Sequence, residues 1–192
     1  SINRRKFIGL STATSSALLL SSLESFSESS KPKFNTAPGF ELLIMATNWG
    51  FAGDAEAFCA KAKKEGYNGI EVWMPGDDKG RNEIAAAAQK HGLAVGLLYG
   101  GGDKDPQKHF NQFKEGMTAA VKMKPVYINC HSGKDYFTFE QNKPFMDLTS
   151  ELSKQTGIPI YHETHRGRSL FAGHITKTFL DKIPDLKLTL DI

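Results

Sequence analysis

Six short apolar runs recur along this chain at nearly even spacing, and that rhythm limits its folds to a few. The runs lie at 41–47 (ELLIMAT), 69–73 (GIEVW), 94–99 (AVGLLY), 126–131 (VYINCH), 158–163 (IPIYHE) and 186–192 (LKLTLDI), with starts 28, 25, 32, 32 and 28 residues apart. Helical patterns fill the gaps and are predicted over 54–65, 80–91, 106–123, 139–155 and 174–182. Strands alternating with helices make βα units, so the sheet should be parallel. The punctuation agrees. Asp54 precedes a helical run as an N-cap, and Asp105-Pro106 places Pro at a first helical position. Gly66, Gly92 and Gly157 each follow a helical stretch, where a left-handed residue is wanted. Lys90 and His91 occupy a last turn, where the helix dipole favours positive charge.

Alternating βα units fit a doubly wound sheet or an eight-stranded barrel. A dinucleotide-binding sheet wants G-x-G-x-x-G after its first strand. The residues there read Thr47-Asn48-Trp49-Gly50-Phe51-Ala52-Gly53, which do not match. Gly100-Gly101-Gly102 after the third run reads as an anion cradle or as a flexible loop. The expected fold is therefore α/β, a (β/α)8 TIM barrel cut after its sixth strand. At this repeat length two more units would bring it to the ~250 residues usual for the fold.

The first 35 residues read as something other than a fold element. Asn3-Arg4-Arg5-Lys6 precedes a mildly apolar stretch, 7–20, and then a Ser-rich one, 21–30. A basic start, a short apolar core and a polar exit describe an export signal; an amphipathic helix is the alternative. Arg4-Arg5 with Phe7 resembles a twin-arginine signal, which implies a periplasmic protein. The expected organisation is signal and linker over 1–35 and a partial barrel over 36–192. Net charge is +3, of which the first 30 residues carry +1, too faint a surplus for a nucleic-acid partner. No apolar run reaches the ~18–20 residues that span a bilayer, so no membrane anchor is expected after signal removal. Two cysteines, Cys59 and Cys130, exclude a disulfide framework and read as buried thiols.

Barrel chemistry collects at the C-terminal ends of the strands, and strand side chains alternate between faces. Tyr127, Asn129 and His131 share one face; so do Tyr161 and Glu163; so do Lys187, Thr189 and Asp191. Leu186, Leu188 and Leu190 need the apolar layer under the helices, which turns Asp191 inward. Three neighbouring strands, ~4.8 Å apart, then end in His131, Glu163 and Asp191. Two facing carboxylates repel, and a divalent cation relieves that; imidazole with carboxylates suits Mn²⁺, Zn²⁺ or Fe²⁺. Plainer roles stay open: an N-cap for Asp191, a hydrogen-bonded rim residue for His131. Glu71 in the second run lines the pocket or pairs with a Lys. His165, Arg166 and Arg168 follow the fifth run, and the two arginines read as a clamp on an anionic or polyhydroxyl substrate, or as solvated charge.

The strand Ile160-Tyr161-His162-Glu163-Thr164-His165, the run 184–191 (PDLKLTLD) and the segment 66–73 (GYNGIEVW) together resemble the xylose-isomerase-like TIM-barrel superfamily. That group holds sugar and sugar-phosphate isomerases and epimerases and the family 2 apurinic endonucleases. The resemblance covers about 40–192. It implies Glu163 as the fifth-strand metal ligand and an acid/base, Asp191 as the sixth-strand ligand, and His131 as a site histidine. Two further ligands would come from the last strands, past Ile192, so the fragment alone is expected to be inactive. The implied cofactor is a divalent metal (Mn²⁺, Zn²⁺ or Mg²⁺). The implied reaction is proton transfer next to a carbonyl of a carbohydrate, through an enediolate. Cleavage of a keto-glycoside and a non-catalytic sugar-binding module are the alternatives, and a homo-oligomer is left open.

The leader generates a test. Replacing Arg4 and Arg5 together with Lys should retain a fused reporter in the cytoplasm; unchanged export sinks the twin-arginine reading.

Overall fold

The computed structural model describes residues 39–190. The export signal expected over 1–35 and Asp191 lie outside the described residues. The chain divides after Leu42, and the second unit, Leu43–Ile192, carries every element below. In order these are β1 (Met45–Thr47), α1 (Ala55–Lys64), β2 (Gly69–Trp73), α2 (Asp78–His91), β3 (Ala94–Gly100), α3 (Pro106–Lys122), β4 (Tyr127–His131), α4 (Phe139–Thr156), β5 (Ile160–Glu163), α5 (Gly173–Lys182) and β6 (Leu188–Thr189).

The strands form one sheet in the order β1-β2-β3-β4-β5-β6, and every pairing is parallel. Each strand neighbours the next in sequence. A doubly wound sheet reverses its order at a switch point, so this sheet is the barrel kind of βα array. The helix ends form as their sequence dictates. Asp54, Asp77, Asp105 and Thr138 each accept a backbone N–H three residues on, at 2.8 to 3.2 Å. Gln141 returns the bond to the Thr138 amide, completing a capping box. Gly92 and Gly157 close their helices at φ +59° and +73°, conformations that a side chain would strain. In the last turn of α2, Lys90 and His91 both reach Glu56 of α1, at 2.5 and 2.9 Å.

Two expectations need correcting. The first run is a strand only over Met45–Thr47, and Leu42, Leu43 and Ile44 before it are exposed, with no described strand or helix over them. The sixth run pairs only at Leu188–Thr189. Leu186 and Leu188 pack on the core as expected, but Leu190 is 70% exposed, past the end of the ladder.

The core lies between the outer face of the sheet and the helices. Ala46, Ile70, Val72, Leu97, Ile128, Cys130 and Ile160 supply the sheet side. Phe113, Met117, Phe145 and Met146 supply the α3–α4 side, and all four are fully or almost fully buried. Phe145 is the hub: the rings of His109, Phe110 and Phe113 each stand within 5.1 to 5.4 Å of its own, at steep angles. Cys130 points into this layer with its Sγ 3.8 Å from the Met117 sulfur. Among the described residues no helix is long and apolar enough to cross a membrane. Phe145→Ala should therefore cost about 3–5 kcal/mol, read from urea unfolding; a loss under about 1 kcal/mol would contradict this packing.

Candidate functional site

The opposite face of the sheet carries the polar side chains. Along β4 the alternation sends Ile128 and Cys130 to the helices, and Tyr127, Asn129 and His131 to the other side. Along β5 it sends Ile160 and His162 outward, and Tyr161 and Glu163 inward. Parallel register sets Asn129 beside Tyr161, so His131 and Glu163 follow as neighbours at the strand ends.

There they touch. His131 Nε2 lies 2.9 Å from Glu163 Oε2, and both side chains are about nine-tenths buried. The Asn129 amide donates to the same oxygen at 2.5 Å. Both bonds fall on Oε2, which leaves Oε1 as the carboxylate oxygen for another partner. Burial holds the His131 pKa below the usual histidine range, and Glu163 opposes that pull without reversing it. The imidazole is thus neutral near pH 7, the form that bonds a metal or accepts a proton. Trp73 stands edge-on to His131 at 5.0 Å, and His165 stacks against it at 4.6 Å. These rings wall the pair on two sides.

The remaining expected residues fall in three places. Glu71 is on the inner face but at the floor. It lies in the row of Gly96 and Tyr127, four residues below His131, or about 13 Å along β4. The Tyr127 hydroxyl donates to its Oε2 at 2.6 Å, and burial is the main cause raising the phenol pKa. Gly96 makes that contact feasible: a Cβ there would stand 2.5 Å from the Tyr127 ring. Arg168 is at the mouth, half-buried, and donates from Nη1 to the Gly101 carbonyl at 2.9 Å. Arg166 is exposed, and its carbonyl accepts from His165 Nδ1 at 2.6 Å.

A divalent cation can be weighed against these donors. One imidazole and one carboxylate, with Asn129 orienting the carboxylate from behind, suit such an ion in type. Among the described residues no third His, Cys, Asp or Glu joins them into a metal-holding group. Thr189, the last paired residue of β6, stands beside Glu163.

A buried network behind the pair was not foreseen. His162 is 1% exposed. Its Nδ1 lies 2.7 Å from Ser132 Oγ and its Nε2 2.7 Å from Thr149 Oγ1. The Thr149 hydroxyl already donates to the Met146 carbonyl, so it accepts from Nε2–H, and Ser132 donates to Nδ1. The Ser169 hydroxyl donates to the Ser132 carbonyl at 3.0 Å. Strand alternation places His162 outward, but Thr149 and Ser169 come from distant segments with no local signal. Asn129 was legible: it sits two residues before His131 on the same face.

Family models give no match to this chain. A search of curated proteins also gives none. Solved structures do match. A 3-keto-D-glucoside 4-epimerase from E. coli superposes with TM-score 0.58 at 17% identity, over 78% of this chain and 67% of its own. A D-tagatose 3-epimerase-like protein gives 0.60 at 13% identity, over 79% and 65%. A probable 3-DHS dehydratase from Bacillus anthracis gives 0.56 at 17%, over 78% and 63%. The fold is thus a partial TIM barrel, and the chain spans about two thirds of the length of these neighbours.

Burial pushes the His162 pKa down to about 4. The unfolded chain then binds more protons than the folded one between about pH 6.5 and 4, so stability falls as pH falls through that window. His162→Gln should flatten that part of the profile by about one proton, read from urea midpoints at several pH values. An unchanged slope would mean His162 is charged in the fold.

Proposed function

We propose that this chain provides part of the site of a metal-dependent sugar isomerase or epimerase. The observation that carries the reading is the His131–Glu163 pair at the strand ends, with Asn129 fixed on the same carboxylate oxygen. Epimerases and a dehydratase among the fold neighbours support it. In this reading Glu163 and His131 hold a divalent cation together with Asp191. The cation, when bound, stabilises negative charge developing on substrate oxygens.

The protein's own residues do the rest. Asn129 and His131 keep Oε2 engaged, so Oε1 is the oxygen of Glu163 that would meet the cation and the substrate. His131, neutral by burial, keeps that carboxylate in place. Trp73 and His165 pack against His131 and restrict water around the reacting atoms. Glu71 and Tyr127 close the floor, and Arg168 holds the substrate's far end. The donors suit a cyclic or open-chain ketose, and the leader supports a periplasmic setting.

The pair can be tested by charge removal at constant volume. Glu163→Gln should lower proton exchange on a panel of ketoses by about 10²–10⁴-fold. It should also weaken Mn²⁺ binding in calorimetry and leave the thermal midpoint nearly unchanged. Retained exchange and retained Mn²⁺ affinity together would overturn the reading.

A further inference from the structure

Three loops meet at the mouth, and they bring two cations with them. Arg168, after β5, donates to the Gly101 carbonyl after β3. The next residue, Ser169, donates both its amide and its hydroxyl to the Ser132 carbonyl after β4, at 3.1 and 3.0 Å. Ser132 leads through Gly133, at φ +60°, into Lys134. The Lys134 backbone is clamped on both sides by buried Asn142, which accepts from its amide at 3.2 Å and donates to its carbonyl at 3.0 Å. The backbones of both loops are thus pinned at the mouth.

Among the described residues neither Lys134 nor Arg168 stands in an ion pair. The carboxylates that act on them do so from a distance: Glu163 on Arg168, Asp135 on Lys134. Burial is the main cause lowering the pKa of each, and the charge of Arg168 lowers Lys134 further. Two partly buried like charges with no described carboxylate in ion-pair contact are a standing cost to the fold. An anion between them removes that cost. Gly102, next to the Gly101 carbonyl, adds room, since a Cβ there would meet nothing within 4 Å.

We propose that Lys134 and Arg168 form an oxyanion subsite beside the His131–Glu163 pair, and that it takes a phosphate or carboxylate group on one end of the substrate. The guanidinium supplies a planar fork and the ammonium a point charge, a pairing that suits a group with two or three equivalent oxygens. The Gly101 carbonyl aims the fork. Gly101 in turn is backed by the buried ring of His109, which a Cβ would approach to 2.6 Å. The inference rests on the proposed isomerase reading for the rest of the substrate, but not for binding of the anion itself.

The test is calorimetric titration of the protein, free of divalent cations, with inorganic phosphate and separately with acetate. Saturable binding of one of them is expected. Lys134→Gln and Arg168→Gln should each weaken it by about tenfold or more. Gly101→Ala, which changes no charge, should weaken it too by displacing the carbonyl that aims Arg168. Tighter phosphate points to a phosphate monoester, tighter acetate to a carboxylate. Glu163→Gln should leave anion binding in place even where it stops proton exchange, so the two readings fail separately. No saturable binding of either anion, or an affinity that both Gln variants leave unmoved, overturns the subsite.

Discussion

Everything at the mouth depends on one constraint, the two-residue alternation of parallel strands that must bury one face completely. Ile128, Cys130, Ile160 and His162 lie under the helices. Once they are fixed there, Asn129, His131 and Glu163 have no other side to occupy. The register of β4 on β5 then sets His131 against Glu163. A slip of one residue would send the whole polar set into the apolar layer, where each unpaired group would cost on the order of 1–3 kcal/mol. The apolar face thus specifies the polar one.

The exception on the buried face is informative. His162 stands where an Ile or Val would be expected, and it is tolerated because both ring nitrogens find hydroxyls. Ser132 and Glu163 neighbour His131 and His162 in sequence, so the buried network and the mouth pair share two strand ends. Moving the ring would move both. This is a tighter coupling than apolar packing gives, since hydrogen bonds fix direction as well as distance.

Much of this was legible in the residues. The period of the apolar runs, Asp54, Asp105-Pro106, Gly92 and Gly157 located the elements to within two residues for every helix. Phase alone placed His131 and Glu163 on one face. What stayed hidden depends on contacts between distant segments. Glu71 has the right phase, but only the register shows it at the floor under Tyr127. Arg166 and Arg168 look alike in sequence, and it is the reach to the Gly101 carbonyl that separates them. The ends of the ladder were overdrawn, because an apolar run reads as strand whether or not a neighbour exists to pair with it.

Both thiols carry a consequence for handling. Cys59 and Cys130 are each fully buried, and burial raises both thiol pKa values, that of Cys59 to about 11. The thiolate is the form that oxidises or exchanges, and almost none of it exists in either residue near pH 7. They sit in different parts of the core, one on α1 and one on β4, as free cysteines. While the chain stays folded, burial and the raised pKa values keep both thiols slow to oxidise or exchange. Redox reagents would therefore report its unfolding rather than its chemistry.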